Sequence, residues 1–128
     1  MDMSYKNILL IDDDIDDTQF FLEALQKINK ETLCRTAMNP SKALEDLVIA
    51  EQLPDIIFLD YNMPAVNGLE FLKRMLQIER LRHIEVIVLS TPPEEVMTPW
   101  LDRNNIRVKY ISKPVHMEEL QEILKDLL

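Results

Sequence analysis

The 128-residue chain has one glycine, one cysteine, two histidines and no long apolar run. A single cysteine, Cys34, cannot close an internal disulfide, which points to a reducing compartment. Cys34 follows Leu33 in an expected strand, so it reads as packing filler rather than a nucleophile. No apolar stretch approaches the 18 residues of a membrane span, and the start MDMSYK lacks the apolar h-region of a signal peptide. Basic residues are also scarce, 14 against 23 acidic, for a net charge of −9. That balance opposes nucleic acid and anionic membranes as partners, since both need basic surface. No repeat, low-complexity tract or linker-like segment is found, and 47% hydrophobic residues is ordinary for a folded protein. One domain over 1–128, soluble and cytoplasmic, is expected.

What the chain does have is a set of short apolar runs that each end in a polar residue. ILLI is followed by Asp12 and Asp13, DIIFL by Asp60, VIVL by Ser90, and VKYIS by Lys113 and Pro114. Runs of this length, separated by helix-sized segments, read as buried parallel strands. Strands are expected near 7–11, 33–38, 55–60, 84–90 and 106–112, and helices near 16–30, 41–51, 68–79, 94–103 and 116–127. This alternation predicts an α/β fold with a parallel sheet and right-handed crossovers.

Phe21, Leu22, Leu25 and Ile28 recur at helical spacing after an acidic first turn, which suits the positive end of a helix dipole. Pro40 and Ser41 signal a helix start. Pro99 would break the interior of the fourth helix, which is therefore expected to be short or to restart with Thr98 as N-cap.

In an open parallel sheet, ligands bind at the carboxyl ends of the strands, so these terminal polar groups should converge. Two carboxylates about 4 Å apart repel by roughly 4 kcal/mol at an effective dielectric near 20, so gathering Asp12, Asp13 and Asp60 is not explained by stability. A hard divalent cation resolves the conflict. All-oxygen ligands without cysteine or paired histidine favour Mg²⁺ over zinc. Mg²⁺ commonly shares a phosphate oxygen, Lys113 adds a point positive charge, and Ser90 adds a neutral donor. Asp60 is then the natural nucleophile toward a phosphoryl donor, attacking in line.

The set IDD, FLDYNMP…NG, VLST and YISKP resembles the receiver domain of two-component response regulators over essentially the whole chain. The resemblance implies a flavodoxin-like doubly wound five-stranded parallel sheet, order 2-1-3-4-5, with five flanking helices. It implies that Asp60 is the phosphoacceptor, charged by a histidine kinase or a histidine phosphotransfer protein. Asp13, Asp60 and the backbone carbonyl of Asn62 would bind Mg²⁺ directly, and Asp12 through water. Lys113 and Ser90 would sense the phosphoryl group. As Ser90 moved toward it, Tyr110 would turn inward and alter the face offered to a downstream protein. The last apolar stripe, Leu120, Ile123, Leu124 and Leu127, ends with the chain, so a stand-alone receiver is expected, catalytic only toward its own phosphorylation and dephosphorylation. A phosphorelay intermediate and a phosphate-independent interaction module are the alternatives.

Several positions depart from the family pattern. Ser90 stands for the commoner threonine, and Pro92 and Pro93 follow where a flexible loop is usual, so loop movement is expected to be small or pre-set. The segment LDRNNIRVKY lacks the usual glycine-alanine pair. Asn62 and Pro92 fall where side chains control water access to the phosphoryl group.

Two decoys are weighed and set aside. Asp12, Asp14, Asp16 and Glu23 match an EF-hand loop, but Asp17 stands where that loop needs glycine. Asp14, Asp16 and Thr18 match the D-x-D-x-T of haloacid-dehalogenase-type phosphatases, but two residues separate them from the strand. Capping and charging of the first helix is the preferred role for Asp14, Asp16 and Asp17. Trp100 reads as a half-buried structural residue before a partner anchor, and His83 and His116 as solvated. Met63 and Pro64 would shape the loop after Asp60, and Gly68 would permit a special conformation or close approach.

Overall fold

The computed structural model describes residues 7–28, 32–60 and 68–128. Among the described residues five strands and five helices alternate: β1 (Asn7–Ile11), α1 (Ile15–Ile28), β2 (Leu33–Ala37), α2 (Pro40–Ile49), β3 (Ile56–Leu59), α3 (Gly68–Gln77), β4 (Glu85–Ser90), α4 (Glu94–Arg103), β5 (Lys109–Ser112) and α5 (Met117–Leu127). All pairings are parallel, and the sheet order is β2-β1-β3-β4-β5. The expected architecture is thus the observed one.

β3 shows why its sequence is apolar throughout. Ile56 and Phe58 pack toward α1 and α5 with Phe21, Leu25, Leu120 and Leu124, while Ile57 and Leu59 pack toward α2, α3 and α4 with Leu44, Phe71, Leu72 and Leu101. A central parallel strand is covered on both faces, so alternation in hydrophobicity disappears. Phe21 and Phe58 meet edge to face at 5.0 Å between ring centroids, which pins α1 to the strand leading into Asp60.

The helix ends follow from local chemistry. Asp14 caps α1 by accepting the Asp17 N–H at 3.0 Å. Asn39 caps α2 by accepting from the Lys42 N–H, with Pro40 at the first position. The far end of α2 is closed from outside, where the Arg80 guanidinium donates to the carbonyls of Leu47, Val48 and Ala50. At the end of α4, Asn105 takes the left-handed conformation (φ 58°). The Ile106 N–H reaches back to the Leu101 carbonyl and the Asn105 N–H to that of Asp102. This is a Schellman closure with Leu101 and Ile106 both buried, and Asn105 serves where glycine is commoner. It also delays β5, which begins at Lys109 rather than near 106.

The expectation for α4 is corrected. The helix neither stops short nor restarts at Thr98, but runs unbroken from Glu94 to Arg103 with Pro99 inside it and Pro93 as N-cap. Pro99 and Glu95, four residues earlier, are both exposed, so the carbonyl left without an amide partner faces water. Buried Met97 and Leu101 hold the opposite face to the core. Gly68 has no positive φ; it opens α3 from a buried position, in keeping with close approach rather than special dihedrals. Trp100 is half-buried against the core, and His83 and His116 are exposed, as expected.

Cys34 lies on edge strand β2, packed against the α1–α5 side of the core. Burial pushes its thiol up to about 12. At pH 8 the native protein should react with iodoacetamide about a hundredfold more slowly than the urea-unfolded chain, allowing for the higher intrinsic nucleophilicity of a high-pKa thiolate. The neutral thiol favours the fold below the ordinary cysteine pKa of 9.0, and that contribution is lost as pH rises toward 12. A stopped alkylation time course read by intact mass checks the rate; equal rates in the two states count against the packing role.

Candidate functional site

The sheet ladder carries past the strand ends and fixes the site backbone. The Asp12 N–H donates to the Ala37 carbonyl (2.9 Å), the Asp60 N–H to that of Ile11 (3.0 Å) and the Lys113 N–H to that of Ser90 (2.7 Å). Strand ends in register thus deliver Asp12, Asp60, Ser90 and Lys113 to one edge of the sheet. Asp12 and Asp60 are buried at 3% and 6% exposure and Ser90 is fully buried.

Carboxylate oxygens of Asp12, Asp13 and Asp60 lie within 4.8 Å of one another, the one such three-residue group among the described residues. Ser90 donates its hydroxyl to Asp60 Oδ1 at 3.3 Å. Lys113 Nζ sits 2.9 Å from Asp60 Oδ2, 3.3 Å from Asp12 Oδ2 and 2.7 Å from Asp17 Oδ2. The ammonium therefore has as many carboxylate partners as it has donors. Asn62 falls among residues 61–67, outside the described residues, as do Met63 and Pro64.

The electrostatics follow from this geometry. Burial is the main force raising Asp12 to about 6; the charge of Asp60 adds to it, while the Asp14 N–H and Lys113 oppose it. Burial works to lower Lys113, but its hydrogen bonds to Asp17 and Asp60 outweigh that, and it stays above the usual lysine value. Tyr110 is raised by burial and then by the negative charge of Asp60.

Tyr110 is already turned inward in this structure. Its ring joins the core, and its hydroxyl is placed between the carbonyls of Ser90 (3.2 Å) and Pro92. With Pro93 capping α4 and the Pro92 carbonyl accepting from Tyr110, the loop after Ser90 is held at both prolines.

Asp17 was expected only to charge the helix terminus, and its ion pair with Lys113 was missed. Its place in the first turn of α1, four residues past Asp13, was the available signal, but the contact spans 96 residues of sequence.

The family model for the response regulator receiver domain matches residues 8–125. The polar-differentiation response regulator DivK of Brucella ovis is 31% identical, with 96% of each chain covered. Among solved structures, the phosphorylated cyanobacterial phytochrome response regulator RcpA superposes with a TM-score of 0.81 at 27% identity, over 97% of this chain and 91% of that one. The bacteriophytochrome response regulator RtBRR gives 0.77 at 29%, over 97% and 78%. No described helix is long and apolar enough to cross a membrane. With fold, strand-end acids and family match agreeing, the chain belongs to the response regulator receiver domains of two-component signalling, which generally act as signalling modules rather than catalysts.

Proposed function

We propose that the chain is a Mg²⁺-dependent phospho-switch in which Asp60 accepts a phosphoryl group from a histidine kinase or phosphotransfer protein. The observation that carries this is the set of contacts around Asp60: a buried carboxylate with a hydroxyl on one oxygen, an ammonium on the other, and two further acids beside it. The all-oxygen acidic group fits Mg²⁺, with Asp12, Asp13 and Asp60 as the residues that would hold it. The ion, when bound, supplies positive charge that the carboxylates lack.

Asp60 provides the oxygen that attacks phosphorus, and the bond to the donor's leaving nitrogen breaks in line. Lys113 would donate to a phosphoryl oxygen, and Ser90 would redirect its hydroxyl hydrogen bond from Asp60 to the same group. Because the Tyr110 hydroxyl is bound to the backbone carbonyls of Ser90 and Pro92, a shift of Ser90 is transmitted to that ring and to the start of α4. A downstream protein would read that face.

Incubation with acetyl phosphate and Mg²⁺ should add one phosphoryl group by intact mass, and chelation of the metal with EDTA should prevent it. Absence of any gain would favour a phosphate-independent interaction module. Onward transfer to a histidine protein would identify a relay intermediate.

A further inference from the structure

Lys113 has three carboxylate partners, and they are not equivalent. Asp12 and Asp60 belong to the acidic group suited to a cation; Asp17 does not. Asp17 nevertheless makes the shortest of the three contacts, at 2.7 Å. Packing leaves room beside the lysine, where a cavity of about 40 Å³ has Asp12, Asp17, Phe20, Lys113, Pro114 and Leu120 among its lining residues. That is room for about one water molecule, so the ammonium's position is set by its charged neighbours. Asp17 is about half exposed, and ion pairs of that kind add little to stability. Position, rather than energy, is what the contact provides.

We propose that Asp17 is a positioning residue for Lys113: it holds the ammonium on the α1 side of the pocket when Asp12 and Asp60 turn to a cation and a phosphoryl group. This rests on the phospho-switch reading and adds a residue to it. Without Asp17, Lys113 leans wholly on Asp12 and Asp60 and competes with the cation for their oxygens. With Asp17, the lysine keeps a partner that the cation does not take.

The test is a Mg²⁺ titration of the intact chain followed by ¹H–¹⁵N NMR, comparing Asp17→Asn with Asp16→Asn. Asp16 is exposed, stands in the same helical turn and controls for loss of one negative charge. Asp17→Asn should weaken Mg²⁺ binding by about fivefold and Asp16→Asn by less than about twofold. In a Lys113→Ala background the excess effect of Asp17→Asn should vanish. Equal losses in the two single variants, or an excess that persists without Lys113, overturns the proposal. The titration involves no phosphoryl transfer, so an Asp17-specific effect on Mg²⁺ binding, found while the wild-type protein never gains a phosphoryl group, would refute the phospho-switch reading alone.

Discussion

Asp60→Asn should abolish the phosphoryl gain completely and, in metal-free buffer, make the protein more stable by about 1 kcal/mol. The loss follows because asparagine offers no anionic oxygen to attack phosphorus. The gain follows from the charge count in the pocket: Asp12, Asp17 and Asp60 share a single described ammonium, Lys113, and Asp13 adds a fourth carboxylate beside Asp12 and Asp60. Removing one partner of a buried pair is ordinarily costly, about 3–5 kcal/mol, because the other charge is left stranded. Lys113 is not stranded here, since Asp12 and Asp17 remain within 3.3 Å. What disappears is repulsion and the cost of burying one carboxylate. A chain of this length should melt about 4 °C higher for each kcal/mol gained. Saturating Mg²⁺ should reverse the order, because ligand at about a hundred times its dissociation constant stabilises the wild type by about 2.7 kcal/mol, and the variant binds the ion more weakly. Thermal melts with EDTA and with Mg²⁺ test both signs. A variant that is less stable in EDTA would mean that Asp60 is favourably paired and that no strain is stored in the pocket.

The location of this site was legible because burial leaves a simple trace. A polar residue ending a run such as DIIFL has nowhere to go but the strand's carboxyl end, and the parallel ladder through Ile11, Leu59 and Val88 brings such ends together. Contacts made by long side chains across distant segments leave no such trace. The Arg80 cap on α2 and the Asp17–Lys113 pair depend on how α2, α3, α1 and β5 are placed, which no local pattern encodes. Pro99 misled for a different reason. Proline costs a helix interior about 3 kcal/mol, but that penalty applies to the lost amide bond and the ring's clash, and α4 has Met97 and Leu101 buried to oppose it. Asn105 carried a readable signal, an asparagine ahead of an apolar residue at a helix end, which makes the absence of the glycine-alanine pair less consequential than the sequence suggests.

Lys113→Met should have the opposite effect on stability to Asp60→Asn while also impairing function. Methionine matches the lysine stem but removes the ammonium from three carboxylates, two of them buried. A fully buried pair broken this way loses about 3–5 kcal/mol; Asp17 and the lysine itself are partly exposed, so about 2 kcal/mol is expected at pH 8 in EDTA. Loss of a donor aimed at the transferring group should slow acetyl phosphate labelling by about a hundredfold. The stability loss should depend on pH, with a sign set by Asp12. That carboxyl is raised from 3.8 to about 6 in the folded protein, so its contribution to stability is present below about pH 4 and is lost as pH climbs through 6. Lys113 is one of the influences holding Asp12 down, so in the variant the carboxyl rises further and the loss extends to higher pH. Lys113→Met should therefore be less stable than wild type at both pH values, through the lost pairs with Asp60 and Asp17, and the deficit should be larger at pH 8 than at pH 5. Mg²⁺ at pH 8 should recover much of the difference by replacing the missing positive charge, without restoring the labelling rate. Melting curves at the two pH values, with and without the ion, separate these effects; a deficit that is the same at pH 5 and pH 8 would show that Lys113 does not stabilise the fold through the charge of Asp12.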